Sequence, residues 1–256
     1  MTLALRAPVG EQPRTPRPSR TAMLTGLRPA ARAVVHRRWQ VEVHGAAHVP
    51  ARGPVVLAAN HVGWLDGPLL AIVSPRPAHV LTKQEMYAGP MGAFLHAAGQ
   101  IPLDRWQVDL GAVRQALRVL EEGRVVGVFP EGARGDGSMR LHRPGAAYLA
   151  LVSGAPVVPV VFLGTRLPGG SDGSVPPAGS RIAVTYGEPL HLPRLPWPRT
   201  HDEVTRASAQ VREAVVRTLH SAEAATGMTL PGPLGPARPQ TGTKTSTTKR
   251  TKKMRT

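Results

Sequence analysis

The 256-residue chain is 41% hydrophobic and 19% charged, enough to bury one substantial core but not several. It has no cysteine, which excludes disulfides, thiolate metal sites and a cysteine nucleophile while leaving the redox compartment open. The formal charge of +16 sits at the ends: residues 1–40 hold eight Arg and one Glu, residues 231–256 hold seven Lys or Arg and no acid, and residues 41–230 are near balance with 17 basic and 15 acidic residues.

Residues 1–20, with "RAPVGEQPRTPRPSR", read as a disordered basic segment without the apolar run of a signal peptide. Residues 21–40 follow, with Met23, Leu24, Leu27, Ala31, Val34 and Val35 at roughly helical spacing and arginines between them. Two readings stand for this segment. It is an amphipathic helix lying on a membrane surface, or a helix covering the core with its charges solvated. Pro29 argues against a single unbroken helix in either case.

Residues 41–226 read as one folded domain. "WQVEVHG" alternates Val41 and Val43 as a half-buried strand does, "GPVVLAAN" is a continuous apolar run suited to a central strand, and "AHVLTK" is a further short strand. "VDLGAVRQALRVLEEG" is a helix capped by Asp109 and ended by Gly123, with Leu110, Val113, Leu117 and Leu120 on one face. A strand Val125 to Phe129 comes next. The longest uncharged run, Pro144 to Thr165, is broken by Gly154-Ala155-Pro156 and Pro159, so it reads as a buried helix and a buried strand, not a membrane span. "SRIAVTYGEPL" is a last strand. "THDEVTRASAQVREAVVRTLHSA" opens with Thr200 and Glu203 in capping-box register and keeps Val204, Val211, Val215 and Leu219 on one side. Strands alternating with helices predict a single α/β domain with a mostly parallel central sheet flanked by helices. Residues 227–256, rich in Pro, Thr and Lys, read as a disordered basic tail.

Two stretches directly after buried strands carry chemistry. In "AANHVGWLDGP", His61 precedes Asp66 by five residues. Five helical residues turn about 140° beyond a full circle and five strand residues end on opposite faces, so the two side chains meet only across a turn. A turn eased by Gly63, followed by a helix start, lets the carboxylate hold the imidazole as an oriented general base. Taken alone, a histidine after a strand also reads as structural or solvated. In "FPEGARG", Phe129 to Gly135, glycines let backbone N–H groups approach an anion, and Arg134 has the reach for a phosphate; an ordinary Gly-rich loop is the plain alternative.

Four blocks in order resemble the lysophosphatidic acid acyltransferase family, the 1-acyl-sn-glycerol-3-phosphate acyltransferases and related glycerolipid acyltransferases. They are Asn60-His61 to Asp66, Gly99 to Arg105 ("GQIPLDR"), Phe129-Pro130-Glu131-Gly132, and Ala155 to Val160 ("APVVPV"); Lys83 and Glu85 also sit where the family has a Lys-x-Glu element. The resemblance covers roughly Val41 to Leu192. It implies a glycerolipid acyltransferase-like fold and transfer of a fatty acyl group from acyl-CoA or acyl carrier protein to a lysophospholipid hydroxyl. His61 then takes the hydroxyl proton and Asp66 orients His61. Arg105 and the Glu131-Gly132 to Arg134 loop surround the acceptor phosphate, and Pro156 with the apolar strand shapes the acyl side.

Glu131 would repel a phosphate, so its expected role is to cap backbone donors or pair with an arginine. The resemblance implies no cofactor beyond the thioester co-substrate, and no metal site is expected because His44 and His48, four apart, fall at a strand end and loop with no acid cluster beside them. The resemblance also implies a peripheral enzyme on the cytoplasmic face of the cell membrane, with acyl carrier protein a partner where it is the donor; the charge gathered in the two basic tails points to an anionic membrane surface as a further partner. Three departures fall near the head-group side: Gly63 where Ser is frequent, Ala133 where Thr is frequent, and Arg143 where Lys is frequent. His79, His96, His142 and His191 read as structural or surface residues, and Trp64 and Trp106 as core packing before lipid contact. The rival acceptor is another lysolipid. The rival class is a basic-tailed nucleic-acid- or membrane-binding protein, which the balanced core disfavours.

Overall fold

The computed structural model describes residues 22–236, so the expectations for residues 1–20 and for the basic residues from Arg238 onward lie outside the described part. Seven strands, β1 (Gln40–His44), β2 (Val55–Ala59), β3 (Ala78–Lys83), β4 (Ile101–Leu103), β5 (Val125–Val128), β6 (Val157–Leu163) and β7 (Arg181–Tyr186), form one sheet ordered β1-β7-β6-β2-β5-β3-β4. The run from β6 to β4 is parallel; β7 pairs antiparallel with β6, and β1 parallel with β7. This is the expected α/β domain with a mostly parallel sheet.

The apolar runs are continuous because both faces of the central strands are covered. In β2, Val55, Leu57 and Ala59 face one core layer with α1 (Ala22–Arg38) and α2 (Asp66–Val73). Val56 and Ala58 face the other layer, with α4 (Leu110–Glu121), α5 (Gly145–Ser153) and α6 (His201–Thr226). The remaining helix, α3 (Gly89–Ala97), joins β3 to β4. The predicted caps form: Asp109 accepts from Ala112 N at 2.9 Å, and Thr200 and Glu203 make a reciprocal capping box.

The connections position the site. From β2 the chain passes through α2 to β3, on one side; from the neighbouring strand β5 it passes through α5 to β6, on the other. The carboxyl ends of β2 and β5 are thus a topological switch point, where diverging connections leave a crevice. His61 follows the first strand and Glu131 the second.

Several expectations need correction. On α4 the buried residues are Ala112, Ala116, Val119 and Leu120, while Leu110 is 58% exposed; the alanines let the helix lie close to the sheet and turn the leucine outward. Val43 is exposed on β1, which is an edge strand, so the expected alternation fails there. The first helix runs unbroken through Pro29, whose ring lies on the exposed side, where the carbonyl left without a donor reaches solvent. Arg28 and Arg32 of α1 are not simply solvated. Both donate to carbonyls at the end of α2, Arg32 Nη2 to Val73 O at 2.7 Å and Arg28 to Ser74 O, as cations complement a helix C-terminus. The tail expected from residue 227 packs as far as the described chain runs: Leu230 lies against both core layers, and Gly235 N donates to Gly170 O at 3.0 Å. Among the described residues no helix is long and apolar enough to cross a membrane.

Candidate active site

Asn60 follows β2 directly, fully buried, and pairs with β6: its Nδ2 donates to Phe162 O at 3.2 Å and its Oδ1 accepts from Phe162 N at 2.7 Å. The next residue therefore leaves the sheet in a fixed direction. His61 Nδ1 lies 2.8 Å from Asp66 Oδ2, across the turn that the spacing predicted. Asp66 opens α2 and is wholly buried. Its Oδ2 also accepts from Val62 N at 2.7 Å and Gly63 N at 2.8 Å, so two backbone donors fix the carboxylate that fixes the imidazole. The arrangement assigns the proton to Nδ1 and leaves Nε2 as the acceptor. Phe129 stacks on the His61 ring with centroids 4.1 Å apart and planes 22° apart, holding its second face.

Gly63 is demanded by space. A Cβ there would stand 2.6 Å from Thr165 O, so the serine frequent at this point in the family would push the β6 loop away. A side chain at Gly132, where φ is 71°, would meet Arg143 Nε at 2.8 Å besides straining the left-handed backbone.

Glu131 takes the expected structural role: its Oε1 accepts from His61 N at 2.8 Å, tying the β5 loop to the β2 turn. Burial pushes its carboxyl up to about 7, against the opposing effect of that backbone bond; Asp136 and Asp66 push the same way. The return bond, Gly135 N to His61 O at 2.9 Å, closes the link.

The cations gather beside this pair. His61, Lys83, Arg105, Gly132 and Arg134 line one cavity of about 510 Å³ that continues between α1, α2 and α3 past Leu27, Ile72, Met86, Phe94 and Leu95. Lys83, Arg105 and Arg134 lie with the imidazole, and beyond them the lining is mostly apolar, with Arg28 of α1 among it. Arg105 pairs with Glu85 at 3.2 Å and reaches Gly132 O at 3.4 Å; Arg134 donates to Asp172 O at 3.2 Å. In both arginines Nε is buried and has no protein partner, which leaves donor capacity for an anion.

The structure does not bring Pro156 to this cavity. It precedes β6, and its carbonyl accepts from Val56 N near the start of β2. In a parallel sheet that is the amino edge, while His61 stands beyond the carboxyl edge, so Pro156 does not line the cavity between α1, α2 and α3. Trp106 is 84% exposed and packs in no core, and Trp64 lines the cavity. His79 is structural: buried, with Nδ1 2.6 Å from Gly99 O and its pKa lowered by burial.

Arg166 escaped the sequence reading. Only 1% exposed, it donates to Val62 O at 2.7 Å, Gly135 O at 2.9 Å, Gly170 O at 3.0 Å, Pro233 O at 3.2 Å and Gly232 O at 2.6 Å. Burial lowers its pKa, while Asp66 and Asp136 act to raise it. It fastens the His61 turn, the β5 loop and the 232–233 segment together. No local pattern announces such a residue, because its partners are carbonyls of chain-distant loops.

A family profile described as Acyltransferase matches residues 40–163. The 1-acyl-sn-glycerol-3-phosphate acyltransferase of Bacillus subtilis is 30% identical over 164 residues, which is 63% of this chain and 79% of that protein. The human 1-acyl-sn-glycerol-3-phosphate acyltransferase alpha is 36% identical over 132 residues, 48% of this chain and 45% of that longer protein. The crystal structure of the 1-acyl-sn-glycerophosphate acyltransferase from Thermotoga maritima shares the fold, with a TM-score of 0.60, 24% identity, and coverage of 78% of this chain and 80% of that one.

Proposed function

The chain belongs to the 1-acyl-sn-glycerol-3-phosphate acyltransferase family, and from that premise we infer that it transfers a fatty acyl group from a thioester donor to the free hydroxyl of 1-acyl-glycerol 3-phosphate, giving phosphatidic acid. The observation that carries this reading is the 2.8 Å contact of His61 Nδ1 with Asp66 Oδ2 beside Lys83, Arg105 and Arg134 in a mostly apolar cavity.

The chemistry follows from which nitrogen is open. The acceptor hydroxyl gives its proton to His61 Nε2 as its oxygen attacks the thioester carbonyl. The tetrahedral intermediate then expels the thiolate, which takes the proton back from the imidazolium. The buried Asp66 carboxylate keeps the ring in the right tautomer and stabilises the imidazolium while it lasts. No acyl-enzyme is required, in keeping with a chain that has no cysteine. Holding both substrates in one cavity removes the entropy of their meeting.

Arg105 and Arg134 are the groups for the acceptor phosphate, each with an unengaged buried Nε, and Lys83 adds a third positive charge to the same wall. Glu131 and Gly132 serve this site through the backbone they shape. The donor is acyl-CoA or acyl carrier protein, and the protein acts as a peripheral enzyme on an anionic, cytoplasmic membrane face. The basic charge of residues 1–40 and 231–256 supports that setting.

The test offers the purified chain a panel of lysolipids with each donor, products being read by mass spectrometry. Phosphatidic acid formed from the phosphate-bearing acceptor in preference to lysolipids with a larger head group supports the reading; acylation of every acceptor except that one contradicts it.

A further inference from the structure

Two loops on the carboxyl edge of the sheet, residues 104–109 after β4 and 139–143 after β5, turn large apolar side chains to solvent. Trp106 and Val108 are each 84% exposed and Leu141 81%. Scattered single residues of this kind need no explanation, but a contiguous group marks a contact surface. The two loops that carry these side chains are joined: Arg143 Nη1 donates to Arg105 O at 2.8 Å, which ties the second loop to the first beside Trp106.

The charges are sorted accordingly. Asp104 is spent on Trp106 N and Gln107 Nε2, Asp109 on Asp104 N and Ala112 N, and Asp136 on Ser138 N and Oγ. Arg140, next to Leu141, stands exposed with Nε 3.9 Å from Asp136. Arg105, next to Trp106, lines the cavity that also holds His61. The patch is therefore apolar, rimmed by arginine, and placed at the edge of the substrate cavity.

We propose that these paired loops are the surface by which the enzyme seats itself on an anionic lipid bilayer, with Trp106, Val108 and Leu141 in the interfacial layer. The proposal rests on the reading of the acceptor as a lysolipid, which resides in such a layer. Aromatic and aliphatic side chains flanked by arginine suit the head-group boundary, where a ring finds apolar contact and a guanidinium finds phosphate. This surface differs from the basic termini in its physics. Attraction by the termini fades with salt, whereas apolar insertion does not.

The experiment uses the full chain and the double variant Trp106→Ser, Leu141→Ser with phosphatidylcholine vesicles containing phosphatidylglycerol, co-sedimented at about 0.1 M and about 0.5 M salt. The double variant should partition about tenfold or more weakly at both salts, and the relative loss should be greatest at high salt. Its turnover of a short-chain, monomeric lysolipid should match wild type. Unchanged vesicle binding at high salt overturns the proposal. So does lost turnover of the monomeric lysolipid, which would give the loops to the site itself, and so does a loss confined to reactions with an acyl carrier protein donor, which would make the patch a carrier-protein surface. Vesicle partition is read without any acyl transfer, so failure of the functional reading and failure of this proposal are separate results.

Discussion

The His61 turn and the 104–109 and 139–143 loops stand on the same edge of the sheet, and they are built in opposite ways. In the turn, the groups that aim the imidazole are held by one another: Asp66 is wholly buried with two backbone donors and an imidazole on Oδ2, while its Oδ1 has no partner, Glu131 holds His61 N, and Arg166 gathers five carbonyls. In the loops, the backbone is locked by local aspartate bonds but the large side chains are left bare. On the proposed reading, the contrast is between a base that must be aimed before the substrate arrives and a surface whose value lies in what it leaves uncovered.

That contrast is best broken from the buried side. Asp66→Asn keeps the volume but removes the charge that sets the tautomer, and its amide must choose between the imidazole and the backbone donors of Val62 and Gly63. Turnover should fall by about 10³-fold, with folding intact by circular dichroism. A loss smaller than about tenfold would mean that Asp66 is a helix-start residue and not the orienting group.

Smaller effects are expected at the cationic wall. Arg134→Ala, and separately Arg105→Ala, should raise the acceptor KM by about 10- to 100-fold with a much smaller change for the thioester donor, as loss of a charge-assisted contact predicts. If the donor KM rises instead, the two substrates sit the other way round in the cavity.

The smallest effect concerns Glu131 and pH. Its carboxyl is pushed up to about 7 in the folded chain, above the ordinary value. The folded state thus holds this proton more tightly than the unfolded state. That stabilising contribution is fully present below the ordinary carboxylate pKa and is lost as pH rises through about 7. Glu131→Gln keeps an oxygen for His61 N and abolishes the titration. Between pH 5 and pH 8 the native enzyme should lose about 1–2 kcal/mol of stability that the variant does not, allowing for solvent screening of a half-buried group. Parallel pH profiles of melting temperature for the two proteins would contradict it.

Much of this architecture was legible because it depends on short-range rules. Asp109 and Thr200 announce their helices through capping chemistry, and the unbroken apolar runs of β2 and β6 announce strands covered on both sides. The His61–Asp66 contact followed from a spacing that no regular element can bridge. What was not legible depends on partners far along the chain. β4 is three residues long and contains Pro102, too little for any periodicity. Arg166 looks like any loop arginine until Val62, Gly135 and Gly232 converge on it. Pro156 was misplaced because a motif fixes order along the chain, whereas strand polarity decides at which edge of the sheet a residue ends. Trp106 was assigned to a core because its type favours burial; its loop projects beyond the sheet, where the Arg105 guanidinium lies 5.9 Å from the ring centre and no core reaches it.

The central claim, that His61 is the base aimed by this fold, is tested most directly by acyl transfer from a thioester to 1-acyl-glycerol 3-phosphate, measured for wild type and His61→Ala at saturating substrates. A positioned base contributes roughly 10²- to 10⁴-fold, so the variant should retain its fold and its acceptor binding while phosphatidic acid formation falls by at least about 100-fold. A folded His61→Ala protein that turns over at near the wild-type rate would contradict the account.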